Sequence, residues 1–331
     1  MNIEQNQNRT SESTHNYSYT VQSQYSWLHI ISIICALIMM AITIYLRCKR
    51  PTISNTISLK LSLWIGLVDV LSRANFLIRV NPSLMNITVS TIPWFPRLLV
   101  YTSFFFLMWF AFLSAAIALD LHLSFLCRRV NIKIIQRFYS PLAALVSSII
   151  PLPFLFVGNI YWNPEFQIVY ISLERTQAII LETFCYDLWM ASAILYSFAV
   201  ILAVVFRVFK SLHIIRENFE STSVDMQARE RQFTYSVLRI LLYPMVLLIC
   251  CPAGIILDWI YYMNPEISPS VMAAMRADAI TSGLQGILNL LVFLLNPAVV
   301  RALSHYKIFS NSLFSADEHE GNQNIMNTEQ W

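Results

Sequence analysis

The sequence predicts an all-α, polytopic membrane protein: a bundle of seven transmembrane helices, N-terminus outside and C-terminus cytosolic. Composition is the first sign. The 331 residues are 56% hydrophobic and 12% charged, where soluble domains carry about 25% charged residues. The second is seven apolar stretches, each long enough to cross ~30 Å of hydrocarbon as a helix. The third is an agreement between glycosylation sequons and basic residues on one way of threading the bilayer.

The sequons are Asn8-Arg9-Thr10, Asn16-Tyr17-Ser18 and Asn86-Ile87-Thr88, and such sites are modified on the lumenal side. Two apolar stretches separate Asn16 from Asn86, which returns the chain to the same face. The spans fall at about 27–46, 57–79, 97–121, 141–160, 184–208, 233–257 and 276–297. Arg47, Lys49, Arg50 and Lys60 flank the first inner turn, and Arg128, Arg129, Lys133 and Arg137 fill the second inner loop. Arg207, Lys210, Arg216, Arg229 and Arg231 belong to the third, and Arg301 and Lys307 follow span seven. Outside stand Arg9, Arg79, Arg97, Arg175 and Arg276, with Arg73 and Arg239 inside spans. That asymmetry obeys the positive-inside rule. The net charge of +3 therefore reports membrane orientation rather than nucleic-acid binding.

Residues 1–26 are polar and sequon-bearing, and are expected to be an extracellular, glycosylated, disordered tail, with span one as signal anchor. Residues 27–308 form the membrane domain, and 309–331 a cytosolic disordered tail. Of six cysteines, Cys185 occupies an oxidising position with no partner nearby, so an unpaired thiol is expected, intermolecular pairing being the alternative.

Several seven-helix classes fail on residues. A retinal protein needs a lysine in its last span, and all five lysines lie on the cytosolic side. A seven-helix zinc hydrolase needs convergent histidines, but His29 and His122 fall at opposite ends. No catalytic constellation is visible, so neither enzyme, metal nor cofactor is expected. A transporter or channel, carrying ionisable residues at mid-membrane, survives as an alternative through Asp69 and the span-two arginines.

Short motifs resemble the G-protein-coupled receptors. Ala116-Ile117-Ala118-Leu119-Asp120-Leu121-His122 looks like the inner end of the third helix of rhodopsin-like receptors, with Asp120-Leu121-His122 where that family has Asp-Arg-Tyr. Leu63-Trp64-Ile65-Gly66-Leu67-Val68-Asp69 is similar to the second-helix segment ending in a buried acid, and Leu294-Leu295-Asn296-Pro297 to the Asn-Pro motif closing helix seven. Pro252 matches the sixth-helix kink proline. Tyr243-Pro244 and Gly286-Ile287-Leu288-Asn289 more resemble the cAMP-receptor-like and fungal carbon-sensing receptors. There are departures: Leu121 replaces the third-helix arginine, Val300 the usual tyrosine, and Pro96 stands where the family's third-helix cysteine would be. The resemblance implies a heterotrimeric G protein as cytosolic partner, an extracellular small-molecule ligand, a plasma-membrane location and water-mediated pairing of Asp69 with Asn296.

Candidate sites follow. A switch set comprises Asp69, Asp120, Arg239, Tyr243, Pro244, Pro252, Asn289, Asn296 and Pro297. An acid amid Trp64, Val68 and Val70 is costly in hydrocarbon unless partnered, though an inert packed acid fits the same residues. Asp120 either pairs with Arg239, replacing the missing lock, or is a solvated helix-end charge. Pro244 and Pro252 each remove a backbone hydrogen bond from span six, favouring a hinge over local packing. A ligand set at the outer ends comprises Arg79, Trp94, Arg97, Tyr101, Ser103, Asp187, Trp189, Asp258, Trp259, Arg276 and Asp278. Aromatic belts at the lipid interface explain its tryptophans and tyrosine equally. Arg79 and Arg73 would suit an anionic or polyhydroxyl ligand. Leu121, His122, Arg128, Arg129 and Arg231 are expected to face the G protein, and Asn8, Asn16 and Asn86 to carry glycans. A heptahelical scaffold without coupling remains a third option, because Leu121 lacks the family's charge.

Overall fold

The computed structural model describes residues 24–49, 57–125, 135–157, 160–163, 168–171, 175–217, 240–263, 269–296 and 299–300. Seven helical spans are long and apolar enough to cross a membrane: Ser26–Lys49, Ser58–Arg79, Phe95–Ser124, Tyr139–Phe156, Thr176–Lys210, Ile240–Ile260 and Pro269–Leu294. The protein is an all-α, seven-helix, multi-pass membrane protein. Its expected tails, 1–26 and 309–331, lie outside the described residues except at Gln24–Ser26.

Span three runs through the middle, as its nearly unbroken apolar sequence requires. Met108, Phe110 and Leu113 are fully buried there, in one apolar cluster with Ile65 and Val68 of span two, Val204 of span five, Leu247 of span six and Phe293 of span seven. The outer spans turn apolar side chains outward, as Leu142, Leu145 and Ile149 of span four and Leu195, Phe206 and Phe209 of span five show. Lipid permits this, since helices satisfy their own backbone.

Span seven approaches span one closely enough to need glycine. A Cβ on Gly283 would stand 2.8 Å from the Cβ of Leu28, and one on Gly286 would strike both the hydroxyl and the carbonyl of Ser32. Ser32 Oγ accepts a hydrogen bond from the Gly286 backbone N–H at 2.9 Å. Small residues of this kind let membrane helices pack backbone to backbone.

Several element boundaries differ from the sequence reading. Span four is a helix over Tyr139–Ile149, a turn at Pro151 and Leu152, and a further helical turn over Pro153–Phe156. Pro153 opens that turn, where its missing N–H costs nothing. A short helix, Pro82–Thr91, joins spans two and three, capped by Asn81, whose side chain accepts from the Leu84 N–H at 3.1 Å. An antiparallel hairpin, Ile160–Asn163 with Ile168–Ile171, stands between spans four and five. Its β-branched and aromatic residues favour strands, an element that the expected all-helical fold did not include. Span five begins as Arg175–Glu182, passes through a π-turn at Thr183–Asp187 and continues as Leu188–Glu217. Span six bends at Cys251 before resuming as Pro252–Met263. Proline disfavours helical geometry in the residue before it and cannot donate to the carbonyl four residues back. The short helix and hairpin mark one end of the bundle, here the hairpin end.

Candidate functional site

Asp69 is fully buried on span two, and both its oxygens are held by amides of span seven. Gln285 Nε2 donates to Oδ1, and Asn289 Nδ2 donates to Oδ2 at 2.6 Å. Four residues separate the two amides, which places them on one helical face. Gln285 turns its other end to Arg73, whose Nη2 donates to Oε1 at 2.9 Å. Arg73 stands four residues above Asp69 on the same helix and is 3% exposed, so acid, amide and guanidinium form one buried chain. The Arg73 Nη1 lies 3.3 Å from Nδ1 of the buried His29 on span one. Because arginine only donates, His29 Nδ1 accepts and the ring proton belongs on Nε2. The His29 ring stacks on Phe76, centroids 3.9 Å apart.

Toward the hairpin end this chain opens into a cavity of about 280 Å³. Span two supplies Ser72, Arg73, Phe76 and Arg79, and span three supplies Ser103, Phe104 and Leu107. Tyr186 comes from the π-turn of span five; Cys250, Cys251, Gly254 and Asp258 come from span six; Asp278, Ser282 and Gln285 come from span seven. Gln285 therefore belongs to the cavity wall and to the Asp69 network at once. The span-six bend at Cys251 is also in that wall. Gly254 leaves room for the Asp278 carboxylate, whose Oδ1 would sit 3.1 Å from a Cβ placed there.

Of the expected ligand set, Arg79, Ser103, Asp258 and Asp278 line the cavity. Ser103 donates to Asn75 Oδ1 at 3.0 Å. The other members stand elsewhere. Trp94, Trp189 and Trp259 are 57%, 40% and 50% exposed, with the amphipathic placement that favours tryptophan at an interface. Trp189 Nε1 donates to the Phe184 carbonyl at 2.9 Å. Arg276 is exposed and Arg97 half-buried. Tyr101 donates to the Ser148 carbonyl on span four at 3.0 Å, which turns it away from the cavity. Asp187 is buried beside Tyr186 without being in the cavity wall itself. Arg73 and Arg79, expected to attract an anion, both line the cavity; Arg73 is hydrogen-bonded to Gln285 and lies against His29, and Arg79 feels the opposite charge of Asp278.

At the opposite end Asn296 is buried where span seven closes. Asn296 acts on Tyr243, whose hydroxyl lies 2.8 Å from Ser62 Oγ. Ser62 Oγ is also 2.7 Å from the Ser58 carbonyl, so the tyrosine and serine protons divide these bonds between them. Spans two, six and seven are thus joined through Tyr243, and the neighbouring Pro244 is buried. Asp120, expected to seek Arg239, accepts from Gln136 Nε2 at 2.6 Å. His122 Nδ1 is 3.2 Å from Tyr196 Oη. Leu121, expected to face a partner, is instead 3% exposed within the core, as its apolar side chain favours. Asn86 is exposed on the short helix. Asn8, Asn16, Arg128, Arg129, Arg231, Arg239 and Pro297 lie outside the described residues.

The sequence reading singled out Asp69 and Asn289 but passed over Gln285 as a partner, and it placed Arg73 with the ligand residues. The signal was present as the four-residue spacings Asp69 to Arg73 and Gln285 to Asn289. Comparison with models of known protein families and with curated proteins finds no match.

Proposed function

We propose that the protein is a heptahelical receptor of the plasma membrane. A small extracellular ligand enters the cavity at the hairpin end, and the far end engages a heterotrimeric G protein. The hairpin end is then outside, and the C-terminus cytosolic, as the sequons and basic residues suggest. The observation that carries this reading is the double membership of Gln285, which lines the cavity and donates to Asp69. A ligand that displaces or strengthens Gln285 acts on the polar chain between spans two and seven. One that presses on Cys250 or Cys251 acts on the span-six bend. Ligand shifts the population toward a state in which span six moves at that bend, provided it binds that state more tightly.

The transporter alternative asks for a polar passage through the bundle. Val68, Phe110, Leu113 and Phe293 are buried in one apolar cluster around the level of Asp69, which supports a closed bundle with a one-sided cavity. The deciding experiment measures guanine-nucleotide exchange in membranes co-expressing G-protein subunits against a library of small metabolites. Uptake of the same compounds is measured in proteoliposomes. Ligand-dependent exchange without uptake supports the receptor; uptake without exchange supports the transporter.

A further inference from the structure

Charges around the cavity pair off unevenly. Asp69 has Arg73 one turn away and two amide donors. Asp278 is attracted by both Arg73 and Arg79. Among the described residues, the charges that weigh most on Asp258 are Glu182 and Asp187 of span five and Asp278 of span seven, all acids. Asp187 is 4% exposed, and neither of its oxygens has a hydrogen-bond partner among the described residues. The π-turn delivers it next to Tyr186, which shares the cavity wall with Asp258. A buried carboxylate held among other carboxylates is costly, and it is relieved either by taking up a proton or by a cation that joins it. The same wall carries Phe104 and Tyr186, ring centroids 4.9 Å apart. Acids beside aromatic faces are the elements that recognise an organic ammonium. Among the described residues, no three His, Cys, Asp or Glu side chains are arranged to hold a metal ion.

We propose that the cavity takes a small protonated amine, its ammonium at Asp258, with the charge of Asp187 behind the wall, and its organic part against Phe104 and Tyr186. This rests on the receptor reading only for its consequence, since binding is measured without a G protein. It differs from the sequence expectation of an anionic or polyhydroxyl ligand, which rested on Arg73 and Arg79 in the same wall.

Purified full-length protein in nanodiscs is heated with 2-phenylethylamine, 2-phenylethanol or phenylacetate, three molecules of similar shape and different charge. The amine should raise Tm, and the alcohol and the carboxylate should not. Asp258→Asn should raise the amine concentration for half-maximal stabilisation by about tenfold or more, Asp187→Asn should raise it by less, and Asp258→Glu should lose less than Asp258→Asn. Should either asparagine variant fail to fold, the comparison among the three compounds on the native protein decides alone. No stabilisation by the amine, equal stabilisation by all three, or greater stabilisation by phenylacetate overturns the proposal. Nucleotide exchange is followed separately. Amine binding that never alters exchange counts against the receptor reading alone, whereas exchange driven by a compound other than an amine counts against the ligand class alone.

Discussion

Arg73 Nη2 and Gln285 Oε1 are 2.9 Å apart, and the same Gln285 donates its amide to Asp69. One amide thus faces a cation with its oxygen and an anion with its nitrogen. The reverse orientation would set like against like at both ends, so the network fixes how the side chain points. Span seven reads the electrostatic order of span two through this one residue.

Replacing Gln285 with Leu should therefore orphan two groups at once. Purified Gln285→Leu should unfold at lower temperature than the native protein, by an amount corresponding to about 1–3 kcal/mol. Basal nucleotide exchange should shift as well. A variant with unaltered Tm and unaltered basal exchange would show that the bridge contributes neither stability nor coupling.

Asp69→Asn keeps volume but leaves one oxygen where two amide donors now compete. If the protein is the receptor proposed, surface expression should persist while the ligand response changes at matched protein number. Because both Asp69 oxygens are occupied by Gln285 and Asn289, exchanging sodium for potassium at constant ionic strength should leave ligand affinity where it was. A clear sodium dependence that disappears in Asp69→Asn would mean the amides yield to an ion.

Much of this was legible in the sequence, and the reasons for the rest are specific. Span two matched residue for residue, Ile57–Arg79, because apolar length alone sets such boundaries. Asp69 declared itself by the cost of an acid in hydrocarbon. The partners of Asp69 were harder, because Gln285 lies 216 residues away and no local pattern announces such a pairing. The exposed tryptophans misled for a physical reason: an indole suits a cavity wall and a lipid interface equally. The π-turn left no trace, since Thr183–Asp187 can continue an α-helix by propensity alone.

Asp120 and Gln136 offer a third test. Their bond ties the end of span three to the segment entering span four. Asp120→Ala, Gln136→Ala and the double variant should show a coupling of about 1 kcal/mol in thermal stability. Strict additivity would separate the two residues. Adding Arg239→Ala to the series shows whether that arginine shares Asp120 in the intact membrane.

The glycines give a contrast of sign. Gly286→Ala drives a methyl into the Ser32 backbone, so folded yield and Tm should fall, with an overpacking cost of about 1–3 kcal/mol. Gly254→Ala meets only the end of the Asp278 side chain, which can move aside. It should fold as the native protein does while altering ligand response. Equal loss in both variants would remove the distinction.

Orientation is tested directly. Enzymatic deglycosylation of protein from eukaryotic cells should increase its gel mobility, and an N-terminal tag should be reachable on intact cells. Labelling of a C-terminal tag without permeabilisation would reject the assignment of outer and inner faces.

The contact of Gly286 with Ser32 has a mechanical corollary. Two helices whose backbones touch cannot slide past one another without first separating, so spans one and seven act as a clamped pair. Asp69, bonded twice to span seven, bolts span two to them. These three helices are held as one unit, and under the proposed function displacement would fall to the part of span six beyond the Cys251 bend.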